Sequence, residues 1–93
     1  MPTVEERVRV IVTKELSLSE EELEERADFL EELKADSLDL VQMIMTLEDA
    51  FKDEVDEEYR EKGGEFKIPD EDVENIHNIK DVVAYLKERG VSD

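Results

Sequence analysis

The chain has 93 residues, 12 of them basic and 29 acidic, for a formal net charge of -17. A surface this acidic repels nucleic acid and anionic membranes and attracts proteins with basic patches. The absence of cysteine excludes disulfides and thiolate chemistry, and no apolar run approaches the roughly 18 residues of a membrane span. One small domain over residues 1–93 is expected, burying about 60% of its unfolded surface. Ile, Val, Leu and Phe account for 27 residues, well above the roughly one-fifth of a chain below which disorder sets in. With neither a signal-peptide core nor an Arg/Ser-rich transit sequence at the N-terminus, the expected compartment is the cytoplasm.

Thr3-Val4-Glu5-Glu6 is a capping box that opens a first helix running to about Leu16. Val4, Val8, Ile11 and Val12 fall on one face at helical spacing, and Val10 points elsewhere. Residues 17–34 are acidic and irregular, with a short turn of helix at Ser19-Glu20-Glu21-Glu22. Leu18, Leu23, Phe29, Leu30 and Leu33 are the side chains that would pin this long loop to the core.

At Ala35-Asp36-Ser37-Leu38-Asp39-Leu40 the loop turns into a strongly patterned second helix, clear to Phe51. Asp36 is suited to the N-cap, Asp39 completes a capping-box-like arrangement, and Ser37 falls on the first turn, where the helix dipole favours an anion nearby. Leu40, Met43, Ile44, Leu47 and Phe51 form a core stripe. Leu38, Val41 and Met45 form a second stripe, separated from the first by Glu48 and edged by Asp39, Gln42 and Asp49. Two readings of the second stripe stand: a docking surface for a partner, or a seat for the long loop.

Residues 52–62 remain helical in character, with Val55 and Tyr59 at i, i+4, until Gly63-Gly64 stops them. Phe66-Lys67-Ile68-Pro69 reads as extended. A short third helix opens at Pro69 or Asp70 with Val73 and Ile76 inward. Asn78 caps a fourth helix in which Ile79, Val82, Val83 and Leu86 face the core, Tyr85 lies toward an edge, and Gly90 ends the run. The expected fold is an all-α, small four-helix bundle with a long loop between helices one and two.

No catalytic constellation emerges. Ser37 has no evident base, since the one histidine, His77, lies between two later helices. One histidine and no cysteine exclude the usual zinc sites, and the acidic runs lack an EF-hand loop. Clustered carboxylates would attract Ca2+ or Mg2+ diffusely and gain stability from it without forming a metal cofactor site. Gly63-Gly64 follows a helix, so it is not a phosphate-cradling loop.

The Asp36-Ser37-Leu38 sentence, with Ala35 before it and Asp39-Leu40-Val41 after it, resembles the modification site of acyl carrier proteins. Val4-Glu5-Glu6-Arg7-Val8, Phe29-Leu30-Glu31-Glu32-Leu33, Met45 to Phe51, and Ile68-Pro69-Asp70-Glu71 through Tyr85-Leu86 resemble the family in the same order. The resemblance implies a non-enzymatic carrier whose Ser37 holds a 4'-phosphopantetheine arm, transferred from coenzyme A by a phosphopantetheinyl transferase. It implies a monomer that serves ketoacyl synthases, acyltransferases and other enzymes with basic docking patches, most directly in fatty acid biosynthesis. Asp36, Leu38, Asp39, Val41, Met45, Glu48 and Asp49 would meet those partners, and Phe29, Ile44, Leu47 and Ile76 would line a pocket for the acyl chain. Gln42 stands where family members often have an acid, and Leu40 where they often have a small polar residue. An insertion at about 52–65 departs from ordinary members. It resembles carriers of very long acyl chains for lipid A, and it equally suits a surface extension of helix two. An unmodified acidic adaptor or nucleic-acid mimic is the reading from a different class.

Overall fold

The computed structural model describes residues 2–25 and 37–93, so the anticipated anchors Phe29, Leu30 and Leu33 and the cap Asp36 lie outside the described residues. Helix α1 spans Val4–Leu16. The Thr3 hydroxyl accepts the Glu6 N–H at 3.1 Å, which satisfies one of the donors that a helix start leaves without an internal partner. Val4, Val8 and Val12 are buried, Ile11 packs against them, and Val10 is exposed, as the periodicity requires. Ser17 ends the helix in the left-handed region, at φ 54°.

Helix α2 is the short Glu20–Glu25. The Glu22 N–H donates to the Ser19 hydroxyl at 3.1 Å and the Ser19 N–H donates to the Glu22 carboxylate at 3.2 Å, a reciprocal capping box. Leu23 is buried and Leu18 packs against the same core, as anticipated for this stretch.

Helix α3 spans Ser37–Phe51, with Met43, Ile44, Leu47 and Phe51 buried and Leu40 packed at their margin. A short helix α4, Asp70–Val73, follows Pro69, and α5 covers Ile79–Glu88. Asn78 accepts the Asp81 N–H at 3.0 Å, and Asp81 in turn accepts the His77 N–H at 2.9 Å. Ile79, Val82 and Leu86 are buried, with Val83 and Tyr85 packed alongside. The all-α architecture thus has five helices among the described residues, with α1 packed against both α3 and α5. The Asp93 carboxylate accepts the N–H of Val4 at 2.9 Å and pairs with Lys87, and these contacts hold its carboxyl below the usual range.

The segment after α3 departs from expectation. The helix does not continue through 52–62. Glu54 and Val55 both return their N–H groups to the Phe51 carbonyl, the chain turns, and a single 3-10 turn forms at Glu57–Tyr59. An acidic run at the C-terminal, negative end of a helix opposes the dipole, and no basic residue in the last turn offsets it. Non-local contacts settle the alternative. Val55 and Phe66 are buried in the core, the Asp56 N–H donates to the Arg89 carbonyl at 2.7 Å, and Arg60 and Phe66 form an isolated antiparallel bridge. The stretch is therefore a core-anchored excursion and not a surface extension of the helix.

Arg89 fixes the same region from the other side. Its guanidinium lies over the Tyr85 ring at 3.5 Å from the centroid and 5.3 Å from that of Tyr59, and it pairs with Asp72. Tyr85 donates its hydroxyl to Asp72 at 2.7 Å, and burial first, then this bond, pushes its pKa well up. Immediately after Arg89, Gly90 has φ 100°. The N–H of Gly90 reaches the Lys87 carbonyl and that of Val91 the Leu86 carbonyl, closing a Schellman motif over the buried Val91. A Cβ at Gly90 would lie 2.3 Å from the Asp56 carboxylate. Gly90→Ala is expected to cost about 1–3 kcal/mol through backbone strain and this clash, read by urea unfolding. A cost near zero would show that residue 90 is not held in the left-handed conformation that ends α5.

Arg7 of α1 makes a bidentate pair with Glu54 and stacks over the Phe51 ring at 4.5 Å from the centroid. The hydrogen bonds from Arg7 hold the Glu54 carboxyl below its ordinary value. The pair's contribution is therefore complete above the unfolded glutamate value of about 4.3 and is lost as pH falls through the lower folded value. Both side chains are about one-third exposed, so the effect is modest, below about 1 kcal/mol. Glu54→Gln is expected to remove that acid-sensitive increment, so that its unfolding midpoint falls less steeply than the wild type's below about pH 4.3. Parallel pH profiles for wild type and variant would refute the assignment.

Candidate functional site

Ser37 is the first residue of the 15-residue α3, at the end where the helix dipole is positive and the first N–H groups lack internal partners. Directly after it the outer face of α3 carries Leu38, Val41 and Met45, exposed by 74%, 52% and 57%. Three apolar side chains one turn apart form a continuous stripe on the outside of the helix. Asp39, Gln42 and Asp49 are exposed alongside it. Long-range contacts within the described residues bury the opposite face and leave this one open.

Glu48 does not belong to that outer face. It is 9% exposed, and its carboxylate accepts the N–H of Ile68 at 2.6 Å. Among the described residues it is the only buried charged side chain. Its place between the two stripes turns it toward the segment leading into α4, where a backbone donor satisfies it. It is thereby withdrawn from the set of partner-facing acids.

An apolar cleft of about 230 Å³ opens between α3 and that segment, lined chiefly by Val41, Ile44 and Met45 on one side and Ile68 and Val73 on the other. Of the four residues expected to line an acyl pocket, Ile44 alone reaches this cleft. Leu47 is 1% exposed within the core, Ile76 is buried and borders a separate cleft beside Tyr85 and Arg89, and Phe29 lies outside the described residues. Val73 was legible as an inward residue and Ile68 only as part of an extended segment, and neither was legible as a wall facing α3. Val41 and Met45, read only as the outer stripe, also form the rim of the cleft.

His77 lies half-buried between α4 and α5, and its backbone N–H is engaged with Asp81. Among the described residues no three His, Cys, Asp or Glu side chains are gathered as a metal site, and no helix is long and apolar enough to cross a membrane. A family model described as phosphopantetheine attachment site matches residues 6–58, more than half of the chain, from α1 through α3 to the turn that follows.

Proposed function

We propose, from the premise that this chain belongs to the phosphopantetheine attachment-site family of acyl carrier proteins, that Ser37 holds the arm and that the cargo is an acyl chain of fatty acid biosynthesis. A carrier of this family bears a covalent 4'-phosphopantetheine arm and is not itself a catalyst. When attached, the arm supplies a terminal thiol on which acyl groups travel as thioesters. The residues in place suit such a group. The first turn of α3 offers backbone N–H groups and a positive dipole to a phosphodiester. The cleft beginning one turn further along offers hydrocarbon contact to whatever the arm carries.

The observation that carries this reading is Ser37 at the opening of a helix whose outward face is an apolar stripe edged with acids. Leu38, Val41 and Met45 supply area for a partner, and Asp39 and Asp49 supply charge, joined by Asp36 just before the helix. Partners with basic patches fit it: a phosphopantetheinyl transferase first, then ketoacyl synthases and acyltransferases. With so many like charges, encounter is fast, transient and weakened by salt. The protein acts as a monomer in the cytoplasm. The test is intact mass after incubation with coenzyme A and a broad-specificity phosphopantetheinyl transferase. A gain of one phosphopantetheine is expected, and no gain with any transferase would turn the reading toward an unmodified acidic adaptor.

A further inference from the structure

Two clefts lie end to end along α3. The apolar one is lined from Leu40 to Glu48, and a more polar one of about 150 Å³ is lined by Glu48, Asp49, Lys52, Glu65, Phe66 and Lys67. Glu48 is the one residue common to both linings. Its carboxylate accepts the Ile68 N–H at 2.6 Å, at the residue where the two linings meet and part.

That carboxylate has a chemical consequence for an alkyl chain entering from the Ser37 end. A cavity of about 150 Å³ suffices for a benzene ring, so the apolar compartment accepts a short alkyl segment. Beyond it the chain meets the carboxylate. Passing would break a charge-assisted hydrogen bond, leave the Ile68 N–H without its acceptor, and cover a charged group with hydrocarbon. Each of these terms opposes the gain from burying another methylene.

We propose that Glu48 is the specificity-determining residue that closes the acyl compartment and sets the longest chain this protein shelters, an inference resting on the carrier reading above. Removing the partition joins the apolar cleft to the polar one, whose wall includes the buried ring of Phe66.

The experiment loads wild type, Glu48→Ala and Glu48→Gln from acyl-coenzyme A thioesters, butyryl to palmitoyl, using a phosphopantetheinyl transferase. Thioester hydrolysis is then followed by intact mass. Each sheltered methylene slows hydrolysis by up to about fourfold, until the chain fills the compartment and the rate levels off. The levelling point is expected at a longer chain in Glu48→Ala, and at an intermediate one in Glu48→Gln, which keeps an acceptor for Ile68 without the charge. In the unloaded proteins, exchange of the Ile68 amide is expected to quicken in Glu48→Ala and to change little in Glu48→Gln. The same levelling point in all three would overturn the proposal while leaving the carrier reading intact. No mass gain on any of them would remove both. Should Glu48→Ala fail to fold, Glu48→Gln decides: a shifted levelling point supports the partition, and an unshifted one overturns it.

Discussion

Ser37→Ala is expected to give a folded protein that gains no phosphopantetheine, against one addition on the wild type. The substitution is mild for the fold. Alanine is the best helix former, and the fully buried part of the core face of α3 begins only at Met43. Far-UV circular dichroism and the unfolding midpoint should therefore stay close to wild type. The chain has three other serines, and their settings separate them from the role. Ser17 holds the left-handed end of α1, Ser92 follows the last helix, and the Ser19 hydroxyl is already engaged by the Glu22 N–H. Ser19→Ala should lose a cap worth about 1 kcal/mol to α2 and still gain one arm. A mass gain on Ser37→Ala would place the attachment at another serine and leave the stripe of Leu38, Val41 and Met45 without its assigned purpose.

The parts that were legible in the sequence are those governed by contacts a few residues apart. The Thr3 cap, the valine spacing of α1, the span of α3 and the Asn78 cap are all local, and each stands where the pattern places it. The same holds for the exposed Leu38, Val41 and Met45, since helical periodicity alone puts them away from Met43 and Leu47. The 52–62 stretch was not legible. Val55 and Tyr59 carry a helical spacing, but Val55 is drawn into the core, Tyr59 sits beneath Arg89, and the Asp56 N–H finds its acceptor at the far end of α5. Arg89, which meets both Asp56 and Tyr59, comes from a separate helix near the other end of the chain, so local spacing does not announce it. Glu48 failed for the same reason: a helix wheel places it between two stripes but cannot supply the Ile68 N–H that makes burial tolerable. Arg89 did leave a signal, because Tyr85 and Arg89 stand four apart on one helix face, where a ring and a guanidinium can stack. The acyl residues split along the same line. Ile44 is positioned by its own helix, whereas the opposite wall of Ile68 and Val73 depends on how two separate segments meet.

Phe51→Ala is expected to lower stability by about 3–5 kcal/mol, the range for removing a fully buried aromatic ring. Small domains have only about 5–15 kcal/mol in total, so the change takes a large part of the reserve of a chain that already carries a net charge of -17. The ring is fully buried and ends α3, and the Arg7 guanidinium rests on its face. Its loss therefore opens a cavity and also removes the platform that holds Arg7 toward Glu54, linking α1 to the segment beyond α3. Because these contacts share partners, the cost will not be the sum of separate substitutions at Phe51 and Arg7. Phe51→Leu, which refills most of the space but cannot stack, should cost less, and the difference isolates the cavity from the ring. Salt supplies an independent check. Screening weakens the repulsion among exposed carboxylates, so moving from low to moderate ionic strength should recover more folded Phe51→Ala than wild type, which is already folded at both. A loss below about 1 kcal/mol in urea unfolding, or a variant indifferent to salt, would mean that the end of α3 is not the joint on which the bundle closes.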